Sequence, residues 1–592
     1  MGINEKIKNI RTLMKDAGIT AYIIPSSDYH QSEYVADYFR ARTWISGFTG
    51  SAGTVIITNE RAILWADGRY YIQAAKEIDG TEVELFKMGQ PSVPTFIEFL
   101  SSELKSGDVV GFDGKVISVT QYHEMKKKFD RKNIKIDATR DLVKELWEDR
   151  PSLPDDKVFI HDVKFAGKSV EEKLSEVRDK MNEESADNYL ISSLDDIAWT
   201  LNLRGNDVNC CPVFLSFLLI GKEKAQLFID NIKIDGTIVK AMNEAGVEIL
   251  PYERVYDEVR GIKEGYLLLD PNKTNVKLLL SVNTKVNIIE KRNITTDLKA
   301  VKNKVEMDNF MNCTIRDGVA MVKFIKYVKE HVKDGNLSEM SVSDTLEKFR
   351  AQGEYFIEPS FTTIAGYKEH AAMMHYSANE NTDYKLKAEG MLLVDSGGQY
   401  YDGTTDITRT IVLGPISAEE KRDFTFVVKS NFALSMARFL YGATGSNVDI
   451  IARTPLWNEG IDYKCGTGHG VGYLLSVHEG PQNFSQVPNT VKLEPGMNIT
   501  DEPGVYKEGK HGIRIENLLF VAEDIKTEYG GRFLKFDVAT FCPIDLEGID
   551  VTLLTDKERK YLNDYHRKVY ELLSPYLNDD EKKFLEKETR AV

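Results

Sequence analysis

The first three hundred residues carry the same landmarks twice, and this duplication limits the architectures open to the chain more than any other feature. Met14 stands eight residues before Tyr22, which opens Tyr-Ile-Ile-Pro-Ser-Ser, and Met181 stands eight before Tyr189, which opens Tyr-Leu-Ile-Ser-Ser. Trp44 leads by six residues to Gly50 in WISGFTG, and Trp199 by six to Gly205 in WTLNLRG. Each copy continues into apolar, β-branched runs: TVIIT then AILWAD in the first, PVFLSFLLI then AQLFID in the second. Such runs read as strands. Two helix–strand copies at so long a period predict a repeated α/β domain, not a solenoid.

At 592 residues the chain exceeds what one hydrophobic core organises. The segment RPSLPDD at 150–156 has linker chemistry and separates the copies. From Val305 to Lys333 the apolar residues Met307, Phe310, Met311, Ile315, Val319, Met321, Val322 and Ile325 recur at helical spacing, and they open a third region. The expected division is therefore 1–153, 154–302 and 303–592, of α/β (α+β) class, with strand–turn alternations in the last region. A charged, amphipathic tail from Leu554 to Glu588 is predicted helical.

The net charge of −16 gives no electrostatic reason to expect a nucleic acid partner. Five scattered cysteines without CxxC spacing fit reduced thiols better than a disulfide framework. MGINEKIKNIRTLMKDAG is amphipathic and lacks an apolar signal core. The longest apolar runs, such as VFLSFLLI, fall far short of the roughly 20 residues of a membrane span. A cytoplasmic protein with no membrane partner is the expectation.

Four carboxylates and one imidazole then follow in order: Asp395, Asp406, His469, Glu502 and Glu516. Asp395 closes the apolar strand MLLVD before a Ser-Gly-Gly turn. Asp406 is expected in the next strand, antiparallel to the first, where alternation puts Asp406, Thr408 and Thr410 on one face and Ile407 and Ile411 on the other. His469 lies among glycines in CGTGHGVG, which let backbone approach closely and leave the ring uncrowded. Five of the ten histidines fall between 370 and 511, beside these acids. Glu502 ends the strand in GMNITDEPG, whereas the competing Glu494 precedes it. Glu516 alternates with Arg514 on an apolar strand, where an inward carboxylate needs compensation by metal or by the arginine. Oxygen-rich donors with a single nitrogen suit two hard, Mn²⁺-like ions and metal-assisted hydrolysis, not a structural zinc.

DSGGQYYDGTTDITRT, GTGHGVG, DEPGVY and RIEN resemble the metal-binding segments of the pita-bread metallopeptidases, family M24. WISGFTGSAG, WADGRYY and SSLDDIAWTLNLRG extend the resemblance, across nearly the whole chain, to the long three-domain Xaa-Pro aminopeptidases (aminopeptidase P). The resemblance implies two creatinase-like domains ahead of a pita-bread domain. It also implies a cytosolic, dimeric enzyme with two divalent ions, Mn²⁺ foremost, removing the first residue of peptides whose second residue is proline. In that scheme Asp395 holds one ion, His469 and Glu502 the other, and Asp406 and Glu516 bridge; Glu502 is also general base for the metal-activated water. His375 and His478 match histidines that donate hydrogen bonds to substrate carbonyls. Arg69 matches an arginine that reaches the neighbouring subunit's site. His370 matches nothing and is expected at the surface. One departure stands out: many relatives have histidine four residues before the ligand imidazole, and this chain has Cys465.

A dipeptide-specific prolidase shares the ligands but usually carries one leading domain, and methionine aminopeptidase generally lacks two. A ligand-less pseudoenzyme and a metal-independent creatinase are disfavoured by five retained ligands. Cleavage of Gly-Pro-Pro or bradykinin-like peptides, beyond Xaa-Pro dipeptides, separates the first two readings.

Overall fold

The computed structural model describes residues 1–592, which separate into two compact units: 1–160 with 168–295, and 161–167 with 296–592. The first unit holds two six-stranded sheets of the same order. In one, Ala21–Pro25 lies between Thr54–Thr58, antiparallel, and Val109–Gly111, parallel. In the other, Asn188–Ile191 lies between Ser216–Gly221, antiparallel, and Gly265–Leu269, parallel. The landmark tyrosines hold matching registers, Tyr22 opposite Ile57 and Tyr189 opposite Ile220. Ala21–Pro25 and Ala62–Ala66 are buried at every position, as expected for central strands covered on both faces. Trp44 and Trp199 both sit on the short helix that follows, Ala41–Ser46 and Leu194–Thr200.

In the second copy the strand starts only at Ser216; Val213, Phe214 and Leu215 are buried in non-strand backbone, with Leu215 N donating to Asp207 Oδ2 at 2.6 Å. The copies are locked together by the buried His30. Its Nδ1 lies 2.9 Å from Ser192 O and its Nε2 2.7 Å from Tyr252 OH, so Nδ1–H donates to the carbonyl and Nε2 accepts from the phenol.

The longest helix of the second unit is Lys304–His331, whose Asn303 cap accepts from Glu306 N while Glu306 reaches back to the cap. Phe310, Met321, Val322 and Val328 line its buried face, and Met311, Ile315 and Val319 pack at its margin. Three antiparallel strands, Ile364–Tyr367, Met391–Ser396 and Ile407–Val412, form one sheet. Arg438–Leu440, Arg532–Val538, Asn517–Lys526 and Asn498–Asp501 form another. The hairpins Gly468–Gly470/Glu479–Phe484 and Gly504–Lys507/His511–Arg514 complete the set that carries the acids. No helix in the chain is long and apolar enough to cross a membrane.

The tail forms two helices, Asp556–Leu573 and Asp579–Glu588, and Leu562, Tyr565, Val569, Leu573 and Leu585 join the core of this unit. His566 is fully buried, and Ile544 N donates to its Nε2 at 3.1 Å. Burial, and secondarily the Arg409 charge, hold its pKa down at about 3. Because the folded pKa lies below the unfolded one, this ring contributes stability above about pH 6.5, and that contribution is lost as pH falls toward 3. At about pH 4.5 the loss is about 2–3 kcal/mol. Metal-free His566→Gln, which keeps an acceptor but takes no proton, should show a flatter decline of melting temperature from neutrality to that pH. Parallel curves would refute the assignment.

Candidate metal centre

Asp395 and the strand after Asp406 are brought together by antiparallel pairing: Met391–Ser396 runs against Ile407–Val412 with Asp395 opposite Thr408. Asp406 itself lies one residue ahead of the strand, not within it, because the small strands Gly398–Tyr400 and Gly403–Thr404 intervene and pair with each other and with Phe356–Pro359. The alternation holds beyond it. Thr408 Oγ1 donates to Glu516 Oε2 at 2.8 Å and Thr410 Oγ1 to Arg514 O at 3.0 Å, while Ile407 and Ile411 enter the core.

His469 is fixed from two sides. Thr500 Oγ1 accepts from His469 N at 3.0 Å, and Asn498 binds both the N–H and the carbonyl of Val471 at 3.0 and 2.9 Å. Asn498 is wholly buried, so the Asn-Ile-Thr match there to a glycosylation signal has no surface to act on. Gly468 permits this closeness, since a Cβ there would lie 1.8 Å from Thr500 O. Gly468→Ala should therefore displace the His469 strand, cost about 1–3 kcal/mol and lower metal retention. Calorimetric melting together with metal analysis checks this.

The ring's protonation follows from its contacts. His469 Nδ1 is 2.8 Å from Gly470 O, which only accepts, so Nδ1 carries the proton. Nε2 is left with its lone pair, 3.5 Å from Asp406 Oδ2 and 3.6 Å from Glu502 Oε1. Ligand atoms of Asp406, His469 and Glu516 lie within 4.8 Å of one another. Glu502 follows the strand Asn498–Asp501 directly, whereas Glu494 is turned to Tyr441, whose hydroxyl donates to it at 2.8 Å.

Electrostatically the cluster is under tension. Asp406 and Glu516 are almost fully buried, and burial first, neighbouring carboxylates second, push both pKa values well up. Glu502 is pushed up to about 7 by burial and the Asp395 charge, against the relief given by Arg514. Asp395 receives Arg514 Nη2 at 2.5 Å on Oδ2, while its buried Oδ1 has no hydrogen-bond partner. An orphaned carboxylate oxygen, several facing acids and an imidazole lone pair are donors short of positive charge, and hard divalent cations fit them. Arg514 compensates Asp395, not Glu516, and also donates to Tyr506 OH at 2.7 Å and Thr408 Oγ1 at 3.1 Å.

The remaining candidates divide. His478 is half-buried with its ring 4.3 Å from that of His469, edge to face, and its charge influences both Asp406 and Glu502. The next residue, Glu479, is clamped by the buried Lys299, at 3.1 Å, and Lys302. His375 is half-buried after the turn Lys368–Ala372, adjoining Met374, whose carbonyl lies 3.5 Å from Arg514 Nη2. Arg69 belongs to the first unit and pairs with Asp67 at 2.7 Å. His370 is not a surface residue: Nδ1 lies 3.0 Å from the buried Glu339, and the ring stacks 3.7 Å from Tyr384. Burial pushes the Cys465 thiol up to about 12.

Comparison with known proteins matches residues 309–523 to metallopeptidase family M24 and 532–592 to its C-terminal region. Residues 6–146 and 149–306 each match a creatinase/prolidase N-terminal domain. Xaa-Pro aminopeptidase 1 of Dictyostelium discoideum is 39% identical, covering 98% of this chain and 94% of that one. Aminopeptidase P2 of Arabidopsis thaliana is 38% identical over 97% and 86%. The solved X-prolyl aminopeptidase of Caenorhabditis elegans, described as a cytosolic enzyme with a di-nuclear active site, superposes with a TM-score of 0.95 at 32% identity over the full length of both chains. Prolidase of Pyrococcus horikoshii shares the fold alone, with a TM-score of 0.51 at 22% identity over 63% of this chain and 99% of that one. Two creatinase-like domains precede a pita-bread domain, and relatives of such identity span nearly the whole sequence: the chain belongs to metallopeptidase family M24 and, within it, to the Xaa-Pro aminopeptidases, which are metallo-exopeptidases.

Proposed function

We propose that the protein removes the N-terminal residue from peptides with proline in second place, using two divalent ions, Mn²⁺ foremost. The observation that carries this reading is the meeting of Asp406, His469 and Glu516 at one point, with Glu502 and Asp395 beside them. Asp395, Asp406, His469, Glu502 and Glu516 would hold the ions, Asp406 and Glu516 serving both. When bound, the pair supplies Lewis acidity and a water of lowered pKa, the requirement for cleaving an amide at neutral pH.

The chain's own groups do the rest. Glu502 and His469 have side chains about a fifth exposed, 22% and 20%, while Asp406 and Glu516 are sealed; substrate enters on that open side. Glu502 is thus the carboxylate able to take a proton at Oε1 or Oε2 and return it to the departing amine. His478 and His375 donate N–H groups to the scissile and proline carbonyl oxygens, where charge grows as the bond breaks. Arg514 holds Asp395 in place. Arg69 reaches the neighbouring site of a cytosolic homodimer. The functional divisions are 1–153, 154–302 and 303–592.

The test is metal analysis of the purified protein with hydrolysis of Xaa-Pro tripeptides and longer peptides, with and without added Mn²⁺. No cleavage by the fully loaded protein would overturn the proposal. Cleavage confined to Xaa-Pro dipeptides would turn it into a prolidase.

A further inference from the structure

We infer that Arg409 and Tyr565 form a positioning strut by which the C-terminal helical region sets the gap between two metal-ligand segments; this rests on the ligand assignment above. Arg409 is 1% exposed, in the strand that follows Asp406. Its Nη1 donates to Thr408 O at 2.9 Å and to Glu516 O at 2.6 Å, and its Nε donates to Pro543 O at 3.2 Å. Its Nη2 faces Asn517 Oδ1, Cys542 O and Tyr565 OH, each at 2.9 Å. The fork therefore grips the Ile407–Val412 strand, the 516–517 segment, the 542–543 connection and the helix Asp556–Leu573.

No carboxylate is among these partners. A buried guanidinium whose donors all go to carbonyls, an amide and a phenol is fixing geometry; it does not close an ion pair. Two of the carbonyls belong to Thr408 and Glu516, whose side chains are hydrogen-bonded to each other, and Glu516 N also donates to Thr408 O at 3.1 Å. The gap so fixed decides whether Glu516 and the adjoining Asp406 meet. Tyr565 orients the fork: its hydroxyl accepts from Arg409 Nη2 and from Cys542 N at 3.3 Å, and donates to Cys542 O at 2.9 Å or Thr540 O at 3.1 Å. Deleting that oxygen leaves the buried Cys542 N–H without its acceptor and frees the Arg409 fork from its tie to the helix Asp556–Leu573, while keeping the charge.

The experiment uses the full-length protein, stripped of metal and titrated with Mn²⁺ alone by calorimetry, beside melting of the metal-free form. Tyr565→Phe removes one oxygen and should weaken Mn²⁺ binding roughly 10-fold, with the metal-free form still melting cooperatively, a little below wild type. Arg409→Lys, which keeps charge without the fork, should shift binding the same way. Glu588→Gln is the comparator, because Glu588 ties the last helix to Lys329 at 3.3 Å without touching Arg409. Wild-type Mn²⁺ affinity in Tyr565→Phe, or equal weakening in Glu588→Gln, would overturn the strut. Failure of the ligand assignment shows separately, as undiminished Mn²⁺ binding by Glu516→Ala.

Discussion

Glu516→Ala should abolish metal loading and peptide hydrolysis while leaving a folded protein. The physical reason lies in the opposite signs of its two effects. In the metal-free protein Glu516 is 1% exposed among like charges, and both burial and those charges push its pKa well up. Removing it takes away a buried carboxyl that the Asp406 and Glu502 charges disfavour, which offsets the loss of the Thr408 hydrogen bond. The metal-free melting temperature should therefore hold close to wild type. With metal the balance should reverse, because the donor proposed to serve both ions is gone. The expected fall in kcat/KM exceeds the about 10²–10³-fold that loss of a single transition-state donor costs. Asp406→Ala should behave alike. Metal analysis after gel filtration, with an Xaa-Pro peptide assay, reads both effects; undiminished activity in either variant would remove the assignment.

His478→Ala should separate chemistry from metal binding. The ring packs edge to face against His469 at 4.3 Å and is not among the proposed ligands, so both ions should still load. A donor aimed at charge that grows in the transition state acts on kcat more than on KM. A fall of about 10²–10³-fold in kcat, or about 2.7–4 kcal/mol, is expected, with metal stoichiometry unchanged. His375→Ala should act in the same direction. Loss of metal from His478→Ala, or an effect confined to KM, would sink the proposed role.

Which features could be read from sequence follows from how local each one is. The five candidate ligands are legible because each sits in a short motif whose neighbours serve it: glycines around His469, and alternation placing Thr408 against Glu516. The duplicated sheets are legible from paired tyrosines and tryptophans that hold the same positions in each copy. The position of Asp406 outside its strand was hidden, since the pairing partner of the intervening strands, Phe356–Pro359, lies far upstream. The burial of His370 is not legible from sequence, because its partner Glu339 lies 31 residues upstream and neither has a motif. Arg409 carried no signal at all. An arginine in a run of threonines reads as a solvated side chain, and its partners include main-chain oxygens more than a hundred residues away.

The web around Arg409 also bears on how separable this enzyme is. Residues 309–523 contain every candidate ligand, yet Pro543, Cys542 and Tyr565 lie beyond them. Recombination that grafted that stretch onto a foreign tail would transplant the donors and leave a buried guanidinium with its Thr408, Glu516 and Asn517 acceptors but without those at 542, 543 and 565. Ligand-bearing core and tail are thus expected to have been inherited as one piece.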